Sequence, residues 1–188
     1  MLKSDRIALT LSFLFFVYAG KSQTTSVTTR QANWAEKINA PAFHNLHKVD
    51  ANVYRSEQPK GKGMHQLDSI GIKTLLNLRQ TKRDKAKKTN LALVHVGMNA
   101  WTISYADIVA GVKAIAQAKK PVLVHCKYGS DRTGCIIAAY RISKCNWTKE
   151  EAIKELREGG FGFHEKNYPN ILTLLGTLDI EKLKKDVQ

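Results

Sequence analysis

Apolar residues recur in this chain in two patterns. The runs 73–78 (Lys73-Thr74-Leu75-Leu76-Asn77-Leu78), 91–96 and 121–125 are short and dense in Leu, Val and Thr, as buried strands are. Two briefer segments, 46–49 and 53–55, also fit strands. The stretches 62–69, 104–118, 133–145, 148–157 and 168–184 space their apolar residues three and four apart, as amphipathic helices do. Short strands alternating with helices predict an α/β fold: a central, mostly parallel sheet flanked by helices on both sides.

The first residues follow another pattern. Lys3 and Arg6 precede an apolar run from Ile7 to Gly20, and polar Lys21-Ser22-Gln23-Thr24-Thr25 follows. A basic start, a short apolar core and small residues after it predict a secretory signal peptide over 1–22. The run is shorter than the ~20 residues of a membrane span, and retention as an uncleaved anchor is the alternative. The expected product is exported, periplasmic or secreted. Thr24 to Lys37 is rich in Thr, Ser and Gln, so 23–40 is expected to be a flexible segment and 41–188 one catalytic domain.

The strand ending at residue 125 leads into His125-Cys126-Lys127-Tyr128-Gly129-Ser130-Asp131-Arg132-Thr133-Gly134, and a helical run follows. A loop between a strand end and a helix start can turn successive backbone N–H groups inward as a nest for a tetrahedral anion. The helix N-terminus adds free donors and partial positive charge there. Cys126 would lie at the bottom of the nest as a thiolate nucleophile. Arg132 offers a planar fork for two phosphate oxygens. Lys127, Tyr128, Gly129 and Ser130 line the substrate's phosphate, with Lys127 as a second cation and Gly129 at the sharp turn. Thr133 can donate a hydrogen bond to the departing sulfur, and His125 is expected to orient the loop through its ring nitrogens.

These residues resemble the signature of the cysteine-dependent protein tyrosine phosphatase superfamily, His-Cys-x5-Arg-(Ser/Thr), matched at His125, Cys126, Arg132 and Thr133. Asn52-Val53-Tyr54-Arg55-Ser56-Glu57-Gln58-Pro59 and Gly71 to Arg79 resemble segments of its compact dual-specificity branch. The likeness runs from about residue 43 to 180. It implies the family's fold, its metal-free two-step chemistry through a phosphocysteine, no cofactor, and phosphate-monoester substrates.

The family usually takes its general acid, an aspartate, from the loop after an earlier strand. Here that loop, Gly97-Met98-Asn99-Ala100-Trp101-Thr102-Ile103, has no carboxylate. Asp107 is one candidate, although Ser104 as N-cap with Asp107 three residues on reads as a capping box. Asp131, directly before Arg132, is favoured over it. Myotubularin-like lipid phosphatases similarly carry an aspartate there, and a carboxyl at the rim of the nest can reach the leaving oxygen. A salt bridge to Lys127 or another cation is the competing role for Asp131.

The net charge is +14, and removal of residues 1–22 leaves +12. Cations are densest at Thr81-Lys82-Arg83-Asp84-Lys85-Ala86-Lys87-Lys88-Thr89, a platform for an anionic substrate or peripheral contact with an anionic membrane surface. The patch lacks stacking aromatics, so nucleic acid is not expected. Substrates are phosphotyrosine or phosphoserine/threonine proteins, or phosphoinositides and inositol phosphates. A phosphate-reading binding module without turnover is the alternative. A sulfur-transfer enzyme of the rhodanese type is disfavoured by the loop length and by Thr133. Three cysteines leave one unpaired in any monomer, and Cys135 and Cys145 lie too far apart along one helix to bridge. Trp101 faces the site in the loop after residue 96, and Gly159 to His164 is expected to turn between helices with a mainly packing role. His44 and His47 lack a third metal ligand.

Overall fold

The computed structural model describes residues 30–188. The expected leader lies outside the described residues, as does the chain up to residue 29. Among the described residues a six-stranded sheet forms in the order β1-β2-β3-β6-β4-β5. Its strands are β1 (Glu36–Lys37), β2 (His47–Lys48), β3 (Val53–Ser56), β4 (Thr74–Arg79), β5 (Ala92–Met98) and β6 (Val122–His125). β3, β6, β4 and β5 are parallel, and β1 and β2 add an antiparallel edge. The helices are α1 (Lys62–Ser69), α2 (Tyr105–Gln117), α3 (Asp131–Lys144), α4 (Lys149–Glu158), α5 (Pro169–Gly176) and α6 (Ile180–Asp186).

Side-chain parity divides the core in two. Leu76 and Leu78 of β4 and Val122 and Val124 of β6 pack with the apolar faces of α2 to α6. Leu75 and Leu123 point the other way, onto Met64 and Leu67 of α1 and onto Phe43 and Leu46. Successive residues of a strand face opposite sides. His125 therefore lies on the α1 side with Leu123, while Cys126 joins the larger core around α3.

Two expectations are corrected. The domain does not begin at residue 41: Trp34 and Ala35 are buried, and β1 pairs with β2. The Ala35 N–H donates to Glu155 Oε1 at 2.6 Å, and Glu155 is itself held by Arg141 at 2.9 Å. A buried ion pair thus fastens 33–37 onto α3 and α4, which the polar composition of the segment does not show. The single helix expected over 168–184 is two. The first ends at Gly176, and Asp179 caps the second by accepting from the Lys182 N–H at 3.0 Å.

Candidate active site

β6 ends at His125, and α3 begins at Asp131, two residues earlier than its apolar pattern suggests. Residues 126–130 close the gap, and this short strand-to-helix passage is what curls the backbone into a loop. Ser130 is the N-cap, yet it makes no side-chain capping bond. Its hydroxyl instead donates to the Phe161 carbonyl at 2.7 Å. No side chain of the N-cap competes for the first N–H groups of α3, so they remain available to an anion.

Gly129 carries the turn. Its φ is +74°, in the left-handed region. A Cβ there would lie 2.5 Å from the carbonyl carbon and oxygen of Ser56 and 2.6 Å from the Glu57 nitrogen. Only a glycine lets the loop pass this close to the end of β3.

His125 holds the loop as its sequence position suggests, but through a partner hidden within the basic run. Its Nδ1 lies 3.1 Å from the Cys126 carbonyl oxygen, and its Nε2 lies 2.9 Å from Asp84 Oδ2. The Asp84 side chain is only 2% exposed, and Gln58 donates to its other oxygen at 2.6 Å. Burial pushes the Asp84 carboxyl up, but the hydrogen bond and charge of His125, with the bond from Gln58, outweigh it and leave it below the usual carboxylate value. The Asn77 amide donates to the Lys82 carbonyl at 2.8 Å, so the basic loop is held at two points.

Arg55, which in the sequence stands out only through the family resemblance of 52–59, lies behind the loop of residues 126–130. It is fully buried, its Nη2 donates to the Gly129 carbonyl at 2.8 Å, and its guanidinium lies 3.6 Å from the Phe161 ring centre. Burial pulls its pKa down to about 10, opposed by Glu155 and Cys126, so it is charged at neutral pH. A fixed cation thus stands near the Cys126 sulfur.

Cys126, His125, Ser130 and Thr133 are buried, and Tyr128 is exposed. Arg132 Nε and Thr133 Oγ1 are buried and have no hydrogen-bond partner among the described residues. Buried polar atoms normally have partners, and both atoms are donors on residues flanking the nest, where a phosphoryl oxygen or the sulfur would satisfy them. Lys127 stacks its ammonium 4.7 Å from the Tyr128 ring centre. Lys127 and Tyr128 also line a cleft of about 450 Å³ with Lys60, Arg79, Gln58 and Glu57. This places a group of cations beside the phosphate loop.

The two candidate acids are both engaged. Asp107 Oδ2 accepts from the N–H and the hydroxyl of Ser104, each at 2.8 Å, completing the capping box of α2. The partner of Asp131 is His164 and not Lys127: the His164 N–H donates to Oδ1 at 3.0 Å, and the ring Nδ1 lies 3.0 and 3.1 Å from Oδ1 and Oδ2. The turn that carries His164 is joined to the phosphate loop at further points. Asn45 bridges the Tyr128 and Phe161 carbonyls, and Gly160 and Gly162 both take positive φ. Phe161 packs in the core as expected, whereas His164 was not anticipated as a site residue. Trp101 is exposed and leans on Tyr168, with ring centres 4.8 Å apart. Burial pushes the Cys135 thiol up to about 12, so it stays protonated within the core.

A family model described as the dual specificity phosphatase catalytic domain matches residues 53–174. The chain is 29% identical over 140 residues to the dual specificity protein phosphatase TpbA of Pseudomonas aeruginosa, covering 73% of this chain and 63% of that protein. It therefore spans less than two thirds of that relative. It is also 29% identical over 129 residues to an inositol diphosphatase of Saccharomyces cerevisiae, covering 62% of this chain and 46% of that protein. Among solved structures, P. aeruginosa TpbA superposes with a TM-score of 0.76 at 26% identity, over 85% of this chain and 99% of that one. A cysteine-to-serine form of TpbA in complex with phosphotyrosine superposes with the same TM-score at 25% identity, over 85% of this chain and 98% of that one.

Proposed function

The chain belongs to the dual specificity phosphatase catalytic domain family, and from that premise we propose that it hydrolyses phosphate monoesters through a phosphocysteine on Cys126. The observation that carries this reading is the loop itself: a buried sulfur at the base of a turn, a helix N-terminus without a side-chain cap, and buried donors on Arg132 and Thr133 without partners among the described residues.

The sulfur attacks phosphorus in line while the amides of 127–132 and the Arg132 fork hold the equatorial oxygens. Donors held by the fold need little reorganisation as the transition state forms. The leaving oxygen takes a proton as its bond to phosphorus breaks. Water then attacks the phosphocysteine, and Thr133 Oγ1 donates a hydrogen bond to the departing sulfur. Arg55 and the His125–Asp84 pair fix the loop from behind and touch no substrate.

For the substrate, two classes have support. TpbA in complex with phosphotyrosine argues for aryl phosphates on proteins. The cleft bearing Lys60, Arg79 and Lys127 beside the nest argues for a substrate with more than one phosphate, such as an inositol phosphate or phosphoinositide, as does the likeness to an inositol diphosphatase. The test is phosphate release, with chelator present, from a phosphotyrosine peptide, a phosphoserine peptide and an inositol phosphate series, with Cys126→Ser alongside. Turnover that vanishes in Cys126→Ser while phosphate still binds is the expected result. Wild-type turnover in that variant overturns the thiol mechanism. Tight binding of phosphorylated ligand with no turnover by the wild type makes the chain a binding module instead.

A further inference from the structure

Each carboxylate that borders the site, or was a candidate for its chemistry, is occupied. Glu57 accepts the N–H groups of His44 and Asn45 at 2.6 and 3.0 Å. Asp84 is buried against His125 and Gln58. Asp107 closes the capping box of α2. The Asp131 side chain is 7% exposed, and His164 takes both of its oxygens. Asn99 stands in the loop after β5 where an acid is usual, and its side-chain oxygen accepts the Trp101 N–H at 3.0 Å. Of the groups bound to these carboxylates, His125 is sealed from solvent, whereas the His164 side chain is 46% exposed.

His164 is also held against the phosphate loop. Its ring meets Tyr128 edge to face at 5.9 Å, and its backbone and Nδ1 are fixed by Asp131, the residue before Arg132. A carboxylate only accepts, so Nδ1 carries a proton toward Asp131 and Nε2 is the nitrogen left for other chemistry. A carboxylate behind an imidazole sets the tautomer and stabilises the imidazolium, the arrangement that supports proton transfer by histidine.

We infer that His164 is the proton donor to the leaving group and that Asp131 is the positioning residue that orients it. This assignment rests on the phosphatase reading above. In the first step the thiolate forms the S–P bond, the P–O bond to the leaving group breaks, and its electron pair takes the proton from His164 Nε2. In the second step a water oxygen bonds to phosphorus, the S–P bond breaks back to thiolate, and the water proton returns to Nε2. The products are the alcohol or phenol and inorganic phosphate. This moves the acid one side chain outward from its expected place on Asp131 itself, because both carboxyl oxygens of Asp131 face His164.

The test is leaving-group dependence. p-Nitrophenyl phosphate releases an acidic phenol that departs with little help, whereas phenyl phosphate releases a phenol close in basicity to tyrosine, with pKa about 10. His164→Gln keeps a donor for Asp131 but carries no transferable proton. The ratio of kcat/KM for p-nitrophenyl phosphate to that for phenyl phosphate should rise about 10²-fold in this variant, within the range of general acid catalysis. Asp131→Asn, which keeps an acceptor for Nδ1 but removes the charge, should move the ratio the same way by less. A purely structural role for His164 lowers both rates together, and an unchanged ratio in both variants overturns the assignment. Failure of the wild type on both substrates, with no difference from Cys126→Ser, refutes the phosphatase reading instead.

Discussion

Replacing Gly129 by alanine would set the turn of the phosphate loop against the frame that holds it. The residue has φ +74°, and an added Cβ would meet the Ser56 carbonyl at 2.5 Å and the Glu57 nitrogen at 2.6 Å. Neither neighbour can retreat cheaply. Ser56 lies opposite His125 in the parallel ladder of β3 and β6, and Glu57 grips the amides of His44 and Asn45. The left-handed conformation costs an alanine about 1–2 kcal/mol, and forcing a methyl into a filled space about 1–3 kcal/mol more. The sum, roughly 2–5 kcal/mol, corresponds to a fall in Tm of roughly 4–20 °C for a domain of this size. If the loop moves to relieve the clash, the Arg55 bond to the Gly129 carbonyl goes with it. A displacement of about 1 Å can then cost on the order of 10² in rate. Thermal unfolding followed by circular dichroism, together with kcat/KM on p-nitrophenyl phosphate, reads both effects. A Gly129→Ala protein that melts and turns over like the parent would refute the steric argument.

Asp107→Ala should lower stability by about 1 kcal/mol through loss of the α2 capping box and leave the leaving-group ratio as in the parent; a change in that ratio would return Asp107 to the chemistry. The Asp84 carboxyl is held below its usual value in the fold, so its contribution to stability is complete above the unfolded carboxylate range and is lost as pH falls through the lowered folded value. Acid titration of stability should therefore show a component absent from Asp84→Asn, and superimposable acid limbs for the two proteins would count against the His125–Asp84 bond.

The parts of the site that are local in sequence were legible from it. Cys126 sits on the loop and Arg132 and Thr133 on the first turn of the helix after it, and the change from strand to helix pattern marks where that passage must be. The capping box at Ser104 and Asp107 spans four residues and is equally plain. What escaped notice depends on contacts across the chain. Asp84 looks like a stray acid among lysines because its partner His125 lies 41 residues away. His164 looks like a turn residue because Asp131 is 33 residues before it. β1 is two charged residues, Glu36 and Lys37, with no apolar rhythm at all, and its place is set by the Glu155 contact to Ala35. The break between α5 and α6 was signalled by Gly176 and Asp179, but Leu178 continued the apolar spacing across it and masked the stop.

The inward turn of Asp84 also changes what the loop around it shows to a ligand arriving from solution. Asp84 is the only acid between Thr81 and Thr89, and its charge is spent against His125. The exposed members are Lys82, Arg83, Lys85, Lys87 and Lys88, so the outer face carries one sign and has no internal counterion. A field of this kind acts on diffusion before contact is made, drawing phosphate dianions toward the loop. It fades over about 8 Å at physiological ionic strength. Added salt should therefore slow encounter, while interactions around the buried Cys126 feel much less of it.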